Sequence, residues 1–244
     1  MAKHDAFRDK TIETVEYVSG HKADVIKWGG LALGILLLIG GYWLYRDHMH
    51  TERENALNSA LKVYGSQIVA PGSNPPPFTD VFFRTQPEKT VAVNKAFTEL
   101  ADKYGSSDES MIARYYLGII ASDNGKPGDA EKNFKIVADQ GSSDYASLAK
   151  LSLSQIYQGN GKTDDAVNLL RGLTDHPTAF VSKEQASIEL ARLLSKTKPE
   201  EARKLLEPLR TSKRSSISQS ALTALSELPS VPVPVVPDKV VPGK

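Results

Sequence analysis

The sequence contains no cysteine. That excludes disulfides, thiolate metal sites and cysteine nucleophiles, and it leaves the compartment open, since an oxidising one permits disulfides without requiring them. A charge excess is missing too: 30 lysines and arginines stand against 29 aspartates and glutamates in 244 residues. The balance holds on both sides of Arg46, so neither part has the basic excess that nucleic-acid binding calls for. Of the five histidines, His4, His21, His48, His50 and His176, only His48 and His50 are close, and side chains two apart diverge on a helix, a poor metal geometry. His176, just before Pro177, reads as a helix-terminus residue. No phosphate-binding glycine loop, dinucleotide fingerprint, nucleophile elbow or HExxH pair is present. The expectation is therefore no catalytic residue, no metal, no cofactor, no nucleic acid and no small-molecule substrate, with an enzyme of unrecognised type as the rival.

Against these absences stands one long apolar run. From Trp28 to Tyr45 the chain reads WGGLALGILLLIGGYWLY, without a charge. Its length at about 1.5 Å per residue is roughly 27 Å, close to the hydrocarbon thickness of a bilayer. Val25 and Ile26 extend the run past Lys27, which can snorkel to the headgroups. Trp28 marks one border and Tyr42, Trp43 and Tyr45 the other, as aromatic residues do at membrane interfaces. A transmembrane helix is expected at 25–45; a cleaved signal peptide is excluded by the length, the late start and the bulky Tyr-Trp-Leu-Tyr end. Lys3, Arg8, Lys10, Lys22 and Lys27 precede the run, against Arg46, Arg53 and Lys62 in the next twenty residues. This bias favours a cytoplasmic N-terminus and puts residues 46–244 outside the cytoplasm, in the periplasm of a Gram-negative cell; a reversed orientation would leave them facing the cytoplasm. Gly30 and Gly34 form a GxxxG pair that can bring two such helices close. Residues 1–24 carry a faint stripe, Phe7, Ile12, Val15 and Val18, read as a solvated or surface-lying cytoplasmic segment, with a docking peptide as the alternative.

Beyond Arg46 the residues favour helix, and Ala56, Leu57, Ala60, Leu61 and Tyr64 make a stripe at helical spacing. The apolar run is expected to continue into this helix. A break follows at 70–87, with Pro71, Pro75, Pro76, Pro77 and Pro87, where helix cannot persist. It holds Phe78, Val81, Phe82 and Phe83, either folded back as a cap on the first helices or exposed as an apolar patch for a partner or a membrane surface. From Ala113, Ala149 and Ala186 three segments resemble one another at a period near 36 residues: ARYYLGIIASDNGKPGDAEKNFKIVADQ, AKLSLSQIYQGNGKTDDAVNLLRGLTDHP and ASIELARLLSKTKPEEARKLLEPL. Fixed self-similarity at this spacing signals stacked helix pairs, none of which buries its apolar face alone. Small residues at Gly118, Ala130, Ala166 and Ala202 permit close helix approach, and Phe134, Leu170 and Leu206 fill the gap beside them. Asp129, Asp164 and Asp165 lie at helix starts, where carboxylates accept backbone donors and favour the positive end of the dipole. VAVNKAFTELADKYGSSD reads as an earlier half repeat that pairs with the helix across the proline break. A closing helix near Ser215–Glu227 carries Ile217, Ala221, Leu222 and Leu225. From 228 to 244 alternating Pro and Val give an extended tail, disordered or a ligand for a partner's groove.

These segments resemble the tetratricopeptide repeat. Its Leu-Gly pair appears as Leu117-Gly118, Leu153-Ser154 and Leu190-Ala191, its turn glycine as Gly125 and Gly161, its small residue as Ala130, Ala166 and Ala202, and its closing proline as Pro177. The third segment departs, with a loop one residue shorter, Lys-Thr-Lys-Pro, and no glycine. The fold implied is all-α, one transmembrane helix followed by a tetratricopeptide-like α-solenoid of three to four helix pairs over 46–227. If the array curves as that family does, its inner face takes Tyr115, Ile119 and Ser122, then Leu151, Gln155 and Gln158, then Gln185, Ile188 and Arg192, a mixed polar and apolar surface suited to protein contact.

The layout as a whole, a short charged N-terminus, one early span and a repeat domain, is similar to the YfgM-like ancillary subunits of the bacterial Sec translocon. That resemblance implies a single-pass inner-membrane protein with a periplasmic array. Its implied role is a scaffold linking translocon subunits to a membrane-anchored foldase or chaperone. A repeat scaffold for envelope assembly or cell division is the alternative. The proline-phenylalanine break and the Val-Pro tail depart from that family.

Overall fold

The computed structural model describes residues 22–229, without the side chains of residues 22–26 and Gly29. The stripe at Phe7–Val18 and the tail from residue 230 lie outside the described residues. The chain divides into two compact units, residues 1–55 and 56–244. One uninterrupted helix, α1, Lys22–Tyr64, includes both the apolar run and the Ala56–Tyr64 stripe. In the first unit the apolar side chains stand exposed along α1, among them Leu31, Ile35, Leu36, Leu37, Leu38 and Leu44. Among the described residues no helix is long and apolar enough to cross a membrane; the span read at 25–45 includes Val25, Ile26 and Gly29, whose side chains are not among those described.

The second unit is a succession of antiparallel helix pairs. Its helices are α2 (Gln86–Lys103), α3 (Asp108–Asp123), α4 (Pro127–Gln140), α5 (Ser143–Gly159), α6 (Thr163–Asp175), α7 (Lys183–Leu194), α8 (Pro199–Leu206) and α9 (Ser215–Ser226), with a 3-10 turn at Glu207–Thr211. From α2 to α8 each packs on its sequence neighbour, and α9 closes on α7. The end of α1 pairs with α2 and α3 across the proline segment, around Ala60, Val93, Phe97 and Leu100.

The proline segment is more ordered than a break. Strands β1 (Gln67–Ile68) and β2 (Phe82–Phe83) pair in parallel, and Val69 N–H donates to the Phe83 carbonyl at 2.8 Å. Arg84 donates to the carbonyls of Ala70 and Ser73 at 2.9 and 2.8 Å and lies over the Phe82 ring. Val81, Phe82 and Phe83 are half-buried, so these three fold back. Phe78 does not: it is fully exposed, at a φ of +65°. The segment read as 70–87 ends earlier than expected, because α2 starts at Gln86. Thr85 and Glu88 form a reciprocal capping box, and Pro87 sits in the first turn, where its missing N–H costs nothing.

The repeat register is visible in the turns. Gly125 and Gly161 take φ of +69° and +74° in the first two, the left-handed region that glycine enters without a Cβ penalty. The second helix of each pair follows a lysine, Lys126, Lys162 or Lys198, with ψ of 66°, 58° and 63°. Each of these lysines donates its N–H at 2.8 Å, to Ala121, Tyr157 and Leu194 respectively, and each carbonyl accepts from Ala130, Ala166 or Ala202 at 3.1 Å. The donors reach back five residues in the first two turns and four in the third, which is how the shorter loop closes without glycine. Asp129, Asp164 and Asp165 stand in first turns, but the starts of α4 and α6 have no side-chain cap, so these carboxylates act on the helix dipole alone.

Ala130, Ala166 and Ala202 are fully buried, and Phe134, Leu170 and Leu206 fill the space beside them. Gly118 is the tightest contact: a Cβ there would stand 2.6 Å from Cε1 of Phe134. At the far end Ala221, Ala224 and Leu228 are buried in the last cluster, whereas Leu222 is exposed. Two expectations change accordingly. Ala224, not Leu222, faces the core, and the repeat body includes Leu228. Arg203 then donates to the Pro229 carbonyl at 3.2 Å.

Candidate functional site

The first helices of two pairs and the turn before a third bring aromatic rings into a row. Tyr115 lies in the middle of α3, whose start is capped by Ser107 accepting from Ser110 N–H. Tyr145 lies in the first turn of α5, and its ring centroid is 5.6 Å from that of Tyr115, edge-on. Phe180 lies in the turn before α7, 5.5 Å from Tyr145 and again edge-on. Edge-to-face pairs at such distances are favourable beyond the area they bury. Inward, the row continues from Tyr115 to Phe134 at 5.6 Å and to Tyr116 at 6.1 Å. Tyr116 stacks on Phe97 at 5.0 Å and meets Tyr64 edge-on at the same separation. Its outer end faces solvent: Phe180 is 47% exposed, and Tyr115 and Tyr145 are partly so.

A polar clamp fixes Phe180. The Thr178 and Ser147 hydroxyls are 2.7 Å apart, Asp144 accepts from Ala179 N–H at 3.2 Å, and Thr178 accepts from Val181 N–H at 3.1 Å. Val181, next to Phe180, is fully buried. The turn is thus tied to α5 on one side and rooted in the core on the other. Burial pushes the Tyr115 and Tyr145 hydroxyls above the usual tyrosine range; for Tyr115 the hydrogen bond with Ser152 pulls the other way. Both rings are therefore neutral at physiological pH, and the row presents apolar edges with neutral hydroxyls.

The residues assigned to the inner face divide. Ser122, Gln155, Gln158 and Arg192 are exposed, with Arg192 paired to Glu189 at 3.1 Å. Tyr115, Ile119, Leu151 and Gln185 are half-buried, and Leu151 packs against the C-terminal cluster. Ile188 is 3% exposed and belongs to that cluster, so it has no surface to offer. The register pointed to Tyr115 and missed Tyr145 and Phe180, which sit at or before helix starts while the register carries positions over from mid-helix. Scarcity was a usable signal: aromatic residues are only 7% of the chain, and these two flank helix starts. At the apolar run, Trp28, Tyr42, Trp43 and Tyr45 are all exposed on α1.

His176 closes α6 as its C-terminal cap, while His48 and His50 pair with Glu52 and Glu54 one turn on. Among the described residues no three histidines or carboxylates converge as metal ligands. A groove of 340 Å³ between α2, α3 and α4 is lined by Asp102, Arg114, Lys126, Asp129 and Lys132, charges of both signs, with Arg114 and Asp102 3.8 Å apart.

Comparison with curated proteins and with solved structures gives no match. A family match, to the tetratricopeptide repeat-like domain, covers residues 25–204. That is well over half of the chain and runs from α1 into α8: this chain belongs to the tetratricopeptide repeat-like domain family.

Proposed function

We propose that the chain is a single-pass protein of a bacterial inner membrane whose repeat array is a protein-interaction scaffold. In this reading residues 25–45 span the bilayer, the N-terminus is cytoplasmic and the array periplasmic. There it acts as an ancillary factor of the Sec translocon, linking it to a membrane-anchored foldase or chaperone. The observation that carries the scaffold role is the row Tyr115, Tyr145 and Phe180, rings from two successive first helices and the turn before a third, packed edge-on and partly open to solvent. Tyrosine and phenylalanine offer large contact area at little entropic cost, which is why aromatic residues dominate protein contacts. The anchor is supported by the apolar side chains exposed along α1 between Trp28 and Tyr45, which only apolar surroundings satisfy. It is supported also by the start of the family match at residue 25, so that the family takes in the run together with the repeats. The bias of basic residues supports the orientation, and the similarity of layout supports the translocon.

The test is mild detergent extraction of the tagged full chain with a photo-crosslinking residue in place of Gln155. Recovery of translocon subunits with a foldase supports the whole reading. Division or cell-wall proteins in their place move the scaffold to envelope assembly. A yield no different from that of the anchor helix alone removes the scaffold role.

A further inference from the structure

The aromatic row and the Pro/Val segment at the end of the chain have complementary chemistry. We propose that residues 230–244 lie along the row Tyr115–Tyr145–Phe180 of the same chain, as a built-in occupant that partner segments displace. The proposal rests on reading the row as a protein-contact surface, and it adds regulation to that surface.

Three observations carry it. The first is chemical. The segment reads SVPVPVVPDKVVPGK, with no charge before Asp238. Such a segment favours a polyproline conformation, which arrives preformed, leaves its own backbone unpaired and docks on aromatic surfaces. The second is dimensional. Ring centroids at 5.6 and 5.5 Å span at most about 11 Å, against about 9.3 Å for one polyproline turn. Residues three apart, such as Pro234 and Pro237, therefore match the two ends of the row. The third is reach. Arg214 pairs with Glu184 at 2.6 Å, which places the start of α9 beside the start of α7, just after Phe180. The described chain ends at Pro229, past the other end of α9, held there by Arg203. Returning along α9 is about 18 Å, and the remaining residues in a polyproline conformation reach about 46 Å. Enough chain is left to make the return and cover the row.

Because the chain has no cysteine, paired nitroxides can be placed by Val236→Cys and Lys183→Cys in the full chain in detergent. The expected result is a short, narrow distance that survives dilution with unlabelled chain and is lost with Phe180→Ala. Phe180 is half exposed and outside the buried clusters, so that variant keeps its fold, which far-UV circular dichroism checks. A broad distance indifferent to Phe180→Ala overturns the proposal. So does a short distance that dilution abolishes, because the occupant is then the segment of a second copy. Crosslinking from Gln155 separates this proposal from the scaffold reading. Truncation after Pro229 is expected to raise partner capture. Equal capture with and without the segment overturns the proposal and leaves the scaffold standing; no capture from either form removes the scaffold, and with it the regulatory role of the segment.

Discussion

The two halves of the array solve one packing problem with different residues. In the first repeat Gly118 stands against Phe134, and the surrounding core is aromatic: Tyr64, Phe97, Tyr116 and Tyr115. In the next two, Ser154 and Ala191 hold the place of Gly118, Leu170 and Leu206 hold that of Phe134, and the core is aliphatic, with Leu173, Val181, Leu190 and Leu194. The register is the same, so a smaller residue at one place goes with a larger one at the other. A large ring is admitted only where its partner has no Cβ. The aromatic half also reaches the surface, through Tyr115, whereas the aliphatic half is sealed by α9.

The largest expected effect comes from emptying the tighter half. Phe134→Ala should cost about 3–5 kcal/mol and Leu206→Ala about 2–5 kcal/mol, the first at least equal to the second. Thermal unfolding of the full chain followed by circular dichroism measures both, and a Phe134 variant milder than the Leu206 one would break the comparison. Next is a swap between halves. Gly118→Ser alone forces a Cβ into the Phe134 ring and should cost about 1–3 kcal/mol. Combined with Phe134→Leu it reproduces the second repeat, and the pair should be less destabilised than the sum of the singles by at least about 0.5 kcal/mol; strict additivity would show that the two places are independent. A smaller effect is expected at the clamp. Ser147→Ala leaves the Thr178 hydroxyl with Val181 N–H as its remaining partner and should cost about 1 kcal/mol, while loosening the Phe180 turn, seen as faster amide exchange at Ala179 and Val181.

The smallest effect is electrostatic. Hydrogen bonding from Lys135 holds the Glu131 carboxyl below the usual range, and Arg214 does the same for Glu184. A lowered folded-state pKa means that the stabilisation is complete above the unfolded value, about 4.3 for glutamate, and is lost as pH falls through the lower folded value. The melting temperature should therefore fall on acidification below about pH 4.3, and less steeply in Glu131→Gln and Glu184→Gln. Lys135 and Arg214 are largely exposed, and exposed partners make both contributions modest. A slope unchanged in both variants would assign the acid sensitivity elsewhere.

Much of the fold was legible because it is periodic. The small and large residues recur in all three segments, the turn glycine in two, and the shorter third loop stands out against them, so one chain supplied its own comparison. The contact surface was less legible because it is made by tertiary clamps. Phe180 meets Tyr145 only because Thr178 and Ala179 fold onto Ser147 and Asp144 more than thirty residues earlier, and no period encodes that pairing. Ile188 misled for a related reason. Its place in the register is half-buried in the two earlier repeats, at Tyr115 and Leu151, but α7 is the last first-helix, and the closing helix α9 and Leu228 add to the cluster that buries it. In the proline segment composition announced irregularity correctly, but the β1–β2 pairing and the Arg84 clamp join backbone groups that no pattern of side chains marks.

The three lysines that open the second helices bear on how such an array is edited. Lys126, Lys162 and Lys198 are evenly spaced and share a ψ near 60°, and Lys126 and Lys162 also lie within 30° in φ, at −110° and −83°. A chain joined from Lys126 directly to Thr163 would lose one whole module, yet both cut ends would meet backbone already shaped alike. The natural seams of the array thus lie inside the helix pairs and not between them, and the interchangeable cassette is one second helix with the following first helix. A splice at that seam leaves one mismatch, Gly118 facing Leu170 in place of Phe134, a void to be filled before the shortened array is sound.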